Sequence, residues 1–185
     1  MSYPAKPIRI LAIALGALTI VVPSGATDPA NAGCGTSVLN VLGRVRNTDG
    51  DPLDSVHVLV DQEGEPIDSL WADARGRFAM TLDIGGFYGV KLSRRGYIVK
   101  RFVVDARAED PSSVVTGPFS ADVELRPEAD LAEVDISELD MPYAFVKYAP
   151  EEHAFVVDEA YIIEMKKVEA ALMLSAARAR KRGKP

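Results

Sequence analysis

The sequence predicts a mostly β protein: an antiparallel, seven-stranded, Greek-key-like sandwich with a C-terminal hairpin and helix. Three observations carry this. From Val38 to Asp105 apolar residues fall at every second position in short runs, the period of a strand with one buried face. Clusters of Gly, Pro, Asp and Asn separate those runs at turn spacing. Only beyond Asp158 does the apolar period lengthen to that of a helix.

Residues 1–32 precede the fold and read as an export signal with a flexible segment. Lys6 and Arg9 form a positive start, and the uncharged run Ile10 to Val22 follows. That run is shorter than the ~20 residues that cross a bilayer, which disfavours an uncleaved anchor. Small residues then offer two cleavage sites, after Ala26 and after Ala32, and the first lies nearer the apolar run. Ala32-Gly33-Cys34 invites lipidation of Cys34, but Asn31 stands where such signals usually carry Leu, and the cysteine lies far past the run. A free Cys34 in an oxidising compartment is instead a potential inter-chain cross-link.

The sandwich is expected over residues 37–127. The runs Val41 to Arg46 and Val56 to Val60 alternate, and Asn47-Thr48-Asp49-Gly50-Asp51-Pro52 joins them as an expected hairpin. Gly50 tolerates positive φ there, and Pro52 stops the ladder. Val56, Val58 and Val60 point one way, with His57 and Leu59 on the other face. Gln62 to Pro66 makes the next turn, and Ile67, Ser69 and Trp71 alternate after it. Phe78, Met80 and Leu82 then share a face, as do Tyr88, Val90 and Leu92 after Gly85-Gly86. Tyr97 to Asp105 supplies another strand, Ala106 to Pro118 an exposed loop, and Phe119 to Arg126 the last strand before Pro127. Each inward triplet adds about 5 kcal/mol of gross burial, largely offset by backbone ordering.

Residues 128–158 begin with an acidic segment, Glu128 to Asp140, whose Leu131, Val134, Ile136 and Leu139 imply that it lies along the sandwich. Tyr143 to Tyr148 and Ala154 to Val157 read as a short hairpin about Pro150 to His153. Residues 159–185 form a helix and basic tail: Asp158 suits an N-cap, and Ile162, Met165, Val168 or Glu169, Leu172 and Ala176 recur at helical spacing. The run Arg178 to Lys184 places cations at the helix C-terminus. It is either a solvated tail or a peripheral contact with an anionic membrane surface.

Composition bounds the function. The 48% hydrophobic and 26% charged content is that of a globular protein, and the net charge of -6 argues against nucleic acid held by the overall field. One cysteine excludes an intramolecular disulfide, so packing must hold the core. There are two histidines. His57 sits mid-strand, and His153 lies in a turn beside Glu151 and Glu152, where adjacent side chains rarely converge on one metal. Asp49 and Asp51 about Gly50 lack the spacing and terminal Glu of a calcium loop. No Gly-x-Ser-x-Gly elbow, phosphate loop or Cys-x-x-Cys occurs, so no catalytic, cofactor or metal residue is assigned. Trp71, Phe87, Tyr88 and Tyr97 could form a sugar-binding face, although alternation accounts for most of them as core.

The order Gly43-x-Val45, Asp49-Gly50-x-Pro52-Leu53-x-x-Val56-x-Val58, Ala72-Asp73-x-x-Gly76-x-Phe78 and Gly96-Tyr97-x-x-Lys100 resembles the carboxypeptidase regulatory-like, or transthyretin-like, domain. The resemblance covers about Val38 to Asp105 and implies a small transthyretin/prealbumin-like sandwich, of the kind appended to secreted peptidases or outer-membrane receptors. Val134-Asp135-Ile136-Ser137-x-Leu139-Asp140-x-Pro142-x-Ala144 and Phe155-x-x-Asp158-x-x-Tyr161 are similar to exported bacterial proteins that carry such a domain without an assigned activity. The family's zinc belongs to a neighbouring peptidase domain, and without a His-x-x-Glu pair no peptidase role carries over. The expectation is a non-enzymatic exported binding or assembly module of the cell envelope, whose partner is another envelope protein or a surface glycan. A carbohydrate-binding accessory domain is the alternative. So is a small-substrate hydrolase of transthyretin-like type, which would need His, Arg and Ser converging in a cleft.

Overall fold

The computed structural model describes residues 37–108, 114, 117–132 and 134–182. The leader expected over residues 1–32, Cys34, the loop segment Glu109 to Ser113 and the last residues of the basic tail lie outside the described residues.

Among the described residues nine strands form two sheets, and one long helix follows them. In chain order they are β1 (Val38–Arg46), β2 (His57–Gln62), β3 (Glu65–Trp71), β4 (Arg77–Asp83), β5 (Phe87–Ser93), β6 (Lys100–Asp105), β7 (Phe119–Glu124), β8 (Ala144–Ala149) and β9 (Ala154–Val157). Helix α1 spans Glu159–Arg182. The smaller sheet runs β4-β1-β7 and the larger β3-β2-β5-β6-β8-β9. The alternation seen in the sequence becomes burial: Leu39, Val41, Val45, Phe78, Met80, Leu82, Ala121 and Val123 of the small sheet face Val58, Val60, Tyr88, Val90, Leu92, Phe102 and Val104 of the large one. The protein is therefore the mostly β sandwich with a C-terminal hairpin and helix that the pattern predicts.

Strand direction departs from expectation, because both sheets are mixed. β7 lies parallel to β1, and β8 lies parallel to β6. Each follows a long connection that carries the chain back to the end where the earlier strand began, which is what a parallel neighbour requires. The expected hairpin between the first two runs is also absent, since β1 and β2 lie in opposite sheets. A single bridge, Arg46 to Pro52, closes the Asn47 turn, and the Asn47 side-chain oxygen accepts from the Asp49 and Asp51 amides at 3.0 and 2.8 Å. Pro52 then ends the pairing, and buried Leu53 and Val56 carry the chain across the core into the other sheet. Tyr97 makes one bridge, to Pro127, and β6 begins only at Lys100.

The hairpin β8–β9 extends the large sheet, and Asp158 caps α1 by accepting from the Tyr161 amide at 3.1 Å. Leu172 and Ala176 of α1 form a second apolar cluster with Ile98 and Leu131, backed by Val134, Ile136 and Leu139 of the acidic segment. The acidic segment contains two 3-10 turns, Glu128–Leu131 and Ser137–Asp140, and Arg180 of α1 donates to the carbonyls of Ala129 and Asp130 at 2.6 and 2.7 Å. The helix thus rests on the acidic segment through one apolar stripe and one arginine.

Candidate functional site

Two places concentrate chemistry. The first is the outer face of the large sheet at its β3 edge. In β2 and β3 the register pairs His57 with Trp71 and Leu59 with Ser69, while on the other side β5 sets Ser93 beside His57 and Lys91 beside Leu59. Because Val58, Val60, Val90 and Leu92 are buried, all six of these side chains point outward. The Trp71 indole is 66% exposed, and the His57 ring lies against it with centroids 4.8 Å apart and planes tilted by 43°. Lys91 makes no ion pair among the described residues, and beyond it Arg101 is held by Asp140 at 3.2 Å. The result is an open indole on a sheet face that mixes polar side chains with Leu59 and the exposed Ile67.

The β3 edge itself is guarded. Ala72 donates to Val56 at 2.9 Å and Ser55 to Ala72 at 3.3 Å, which sets the antiparallel phase so that Ser69 and Trp71 direct their backbone groups away from β2. The Ser69 amide is already taken by the Asp68 carboxylate at 2.7 Å. Pro66 has no amide to offer, and a bulge between Val60 and Asp61 disturbs the far end of the strand. An added strand would meet a proline, a carboxylate and a bulge, all devices that discourage edge pairing.

The second place is a cleft of about 450 Å³ between β7 and α1. On its floor Glu169 joins Arg126 at 2.8 Å and Lys100 at 3.6 Å, with each of the three side chains only about a fifth exposed. Burial pushes the Glu169 carboxyl up, but Lys100 and Arg126 outweigh it and hold the group below its usual range. Burial likewise opposes the Arg126 charge, and Glu169 with Glu124 and Asp130 outweighs that too. Tyr143 lines the same cleft with its ring beneath Lys100 and against Phe102. Burial drives its phenol well above the ordinary range, and Asp122 adds to the shift. Ile162, Met165 and Met173 supply the apolar wall. Chemically this is a clamp: one carboxylate on the helix bridges two cations on the sandwich.

The residues singled out in the sequence are scattered. His57 lies on β2, whereas His153 occupies the exposed turn between β8 and β9 at φ 49°, with β5 and β6 between the two. Among the described residues no three His, Cys, Asp or Glu side chains are placed to hold a metal ion. Of the four aromatics considered for a sugar face, Tyr88 is core, Tyr97 packs against the core beside Arg94, and Phe87 and Ser93 stand at opposite ends of β5. Only Trp71 remains as an open platform. Alternation already places Ser69 on the face of Trp71, but sequence reasoning missed Lys91, which only register brings to that face. It also missed the clamp, whose one signal was Glu169 on an otherwise apolar helix stripe.

Comparison with known proteins adds little to this geometry. No family model matches the chain, and no curated protein does. Solved structures similar to it include the 3-chlorocatechol 1,2-dioxygenase of Rhodococcus opacus, 13% identical over 49% of this chain and 58% of that one, with a TM-score of 0.34. The major pilin subunit of Bacillus cereus is 15% identical over 48% of this chain and 29% of its own, with a TM-score of 0.37. The 5-hydroxyisourate hydrolase of Klebsiella pneumoniae is 18% identical over 48% of this chain and 90% of its own, with a TM-score of 0.32. The chain thus spans under two thirds of the dioxygenase and of the pilin. Likeness at this level carries no argument about family or activity, and the sandwich stands on its own strand order.

Proposed function

We propose that the chain is a non-enzymatic, exported binding or assembly module of the cell envelope, built on a carboxypeptidase regulatory-like sandwich. The observation that carries the reading is Trp71: a large aromatic side chain left open on the outer sheet face, beside a strand edge guarded against pairing. Exposed tryptophans of this kind are typical anchors for a partner. The signal-like N-terminus supports export, and the order of turn and core residues quoted above supports the family assignment. The exposed cations Arg178, Lys181 and Arg182 at the end of α1 support a peripheral contact with an anionic membrane surface. Among the described residues no helix is long and apolar enough to cross a membrane.

The test is fractionation of cells that produce the tagged full chain, with sequencing of the mature N-terminus. Export predicts removal of the leader, and an intact Met1 in the cytosol overturns it. Binding through the sheet face predicts that Trp71→Ser folds with an unchanged denaturation midpoint but leaves the envelope fraction. Retention equal to that of the parent chain overturns the assignment of that face. A turnover of any small substrate that His57→Ala or His153→Ala abolishes would make the protein an enzyme.

A further inference from the structure

We infer that the Trp71 face takes an oligosaccharide containing an acidic sugar, with one pyranose ring stacked on the indole and a carboxylate of a following residue reaching Lys91. The inference rests on the binding-module reading and names its ligand class.

Size argues for a sugar. A tryptophan side chain buries at most ~250 Å², so the open part of Trp71 amounts to roughly 150 Å² or a little more. Its apolar neighbours are a half-buried Leu59 and Ile67, which is 52% exposed. A stable protein interface needs about 800 Å² per partner around an apolar, well-packed centre, and here that centre would be one indole with Leu59 and Ile67. A single pyranose matches it. The axial C–H bonds of that ring present an electropositive, weakly apolar face that complements the electron-rich face of an indole.

The surround is polar in the way a sugar needs. His57 beside Trp71, Ser69 two residues back on the same strand and Ser93 beyond His57 offer groups able to donate and accept hydrogen bonds, and their side chains make no hydrogen bonds of their own among the described residues. An extended peptide is discouraged by the edge, where the Asp68 carboxylate covers the Ser69 amide at 2.7 Å and Pro66 follows.

Charge sets the sugar type. Lys91 lies two strands and one residue pair from Trp71, a Cα separation of about 12 Å from strand spacing and rise. That is about two sugar residues along a chain. Its ammonium has no ion-pair partner among the described residues, whereas the next cation, Arg101, is already held by Asp140 at 3.2 Å. A carboxylate on the sugar next to the stacked ring, or the one after it, would meet Lys91.

Trp71 is the only tryptophan in the chain, so its emission reports the site without a label. The full chain is titrated with a galacturonate trimer, with maltotriose and with chitotriose, and iodide quenching is read alongside. The expected result is a saturable change in emission and protection from iodide with the galacturonate trimer, at weaker-than-micromolar affinity. Lys91→Ala should then lose about two- to fivefold in affinity for that trimer, the span of an exposed ion pair, and nothing for the neutral ones. An equal response to all three trimers, or a galacturonate affinity untouched by Lys91→Ala, overturns the acidic-sugar assignment. No saturable response to any trimer overturns the inference as a whole. If in that case Trp71→Ser still leaves the envelope fraction, the binding module stands with a different ligand; if it stays, both readings fall.

Discussion

Gly43 sits in the middle of β1, and its register partner Phe78 on β4 lays its ring directly over the bare Cα. A Cβ built at Gly43 falls inside the van der Waals envelope of that ring, well within 3 Å of three of its carbons. Phe78 is 5% exposed and packed on all sides, so the ring has no open space into which to swing. Gly43→Ala should therefore force an off-rotamer Phe78 or a shift of the strand, at a cost of about 1–3 kcal/mol. Against this stands the roughly 0.5–1 kcal/mol that alanine regains over glycine in the backbone of a strand. The net expectation is a loss of about 1–2 kcal/mol, or roughly 2–8 °C in midpoint for a chain of this size. Phe78→Leu alone should cost about 1–2 kcal/mol in lost ring area and residual cavity. Leucine leaves room for the added methyl, so the double variant should cost little more than Phe78→Leu. The cycle then carries a coupling of about 1 kcal/mol or more in favour of the double variant. Urea denaturation followed by far-ultraviolet circular dichroism measures all four corners. A neutral Gly43→Ala, or strict additivity across the cycle, refutes the claim that this glycine exists to seat the ring.

Gly76 and Gly50 both hold positive φ, at 70° and 88°, but a Cβ at Gly76 meets the Val45 carbonyl oxygen while Gly50 faces open space. Gly50→Ala should cost the left-handed backbone penalty alone, about 1–2 kcal/mol, and Gly76→Ala at least ~2 kcal/mol more, read as the difference in urea midpoints. Glu169→Gln leaves Lys100 partly buried without its anion and leaves Arg126 only its longer contacts to Asp130 and Glu124 at 3.5 and 3.6 Å, and should cost about 1–2 kcal/mol, less than a fully buried pair because part of each side chain stays wet. Because the folded Glu169 carboxyl titrates below its unfolded value of about 4.3, its contribution is present above that pH and fades as pH falls through the folded value. The Gln variant should therefore lose less stability than the parent on acidification below pH ~4, and parallel curves for the two proteins would contradict the clamp. Asp73 is held at about 2, first by the Arg77 amide and then by its guanidinium. Carboxyl titration by NMR should find Asp73 near that value, with only part of the depression relieved in Arg77→Ala because the backbone donor remains.

Much of this fold was legible because burial on a strand has one period. Phe78, Met80 and Leu82 could share a face only as a strand, and in the structure they do. The same logic fixed Val58 with Val60 and Tyr88 with Val90, and the cap at Asp158 followed from a side-chain oxygen three residues ahead of the amide it accepts from. What alternation does not encode is which strand lies alongside. Val45 points inward whether β1 pairs with β2 or with β7, so the expected hairpin and the uniform antiparallel order were both open to correction by topology. The candidate site was still less visible. Trp71 alternates with Ser69 like any core residue, and only the pairing that sets Leu70 opposite buried Val58 turns the indole to the outer face of the sheet. Between Trp71 and Lys91 the chain crosses to the small sheet as β4 and returns, and only the shared neighbour β2 brings the two onto one face.

The same outer face carries a contrast that bears on why Trp71 is open. At the opposite end of the large sheet Phe145 also points outward, beside Val103, yet the first turn of α1 brings Tyr161 edge-on against it at 4.6 Å. The Tyr161 hydroxyl then donates to the Pro142 carbonyl at 2.7 Å and holds the cover in place. The chain therefore has the means to shield an aromatic side chain on this surface and applies them at β8, not at β3. Roughly 150 Å² of indole left in water forgoes about 4 kcal/mol at 25 cal/mol per Å². That is a sizeable share of the 5–15 kcal/mol net stability of an ordinary domain. Pro66 and the Asp68 carboxylate guard the adjacent edge, as exposed edges generally are guarded, so the indole stays open without the edge recruiting another strand.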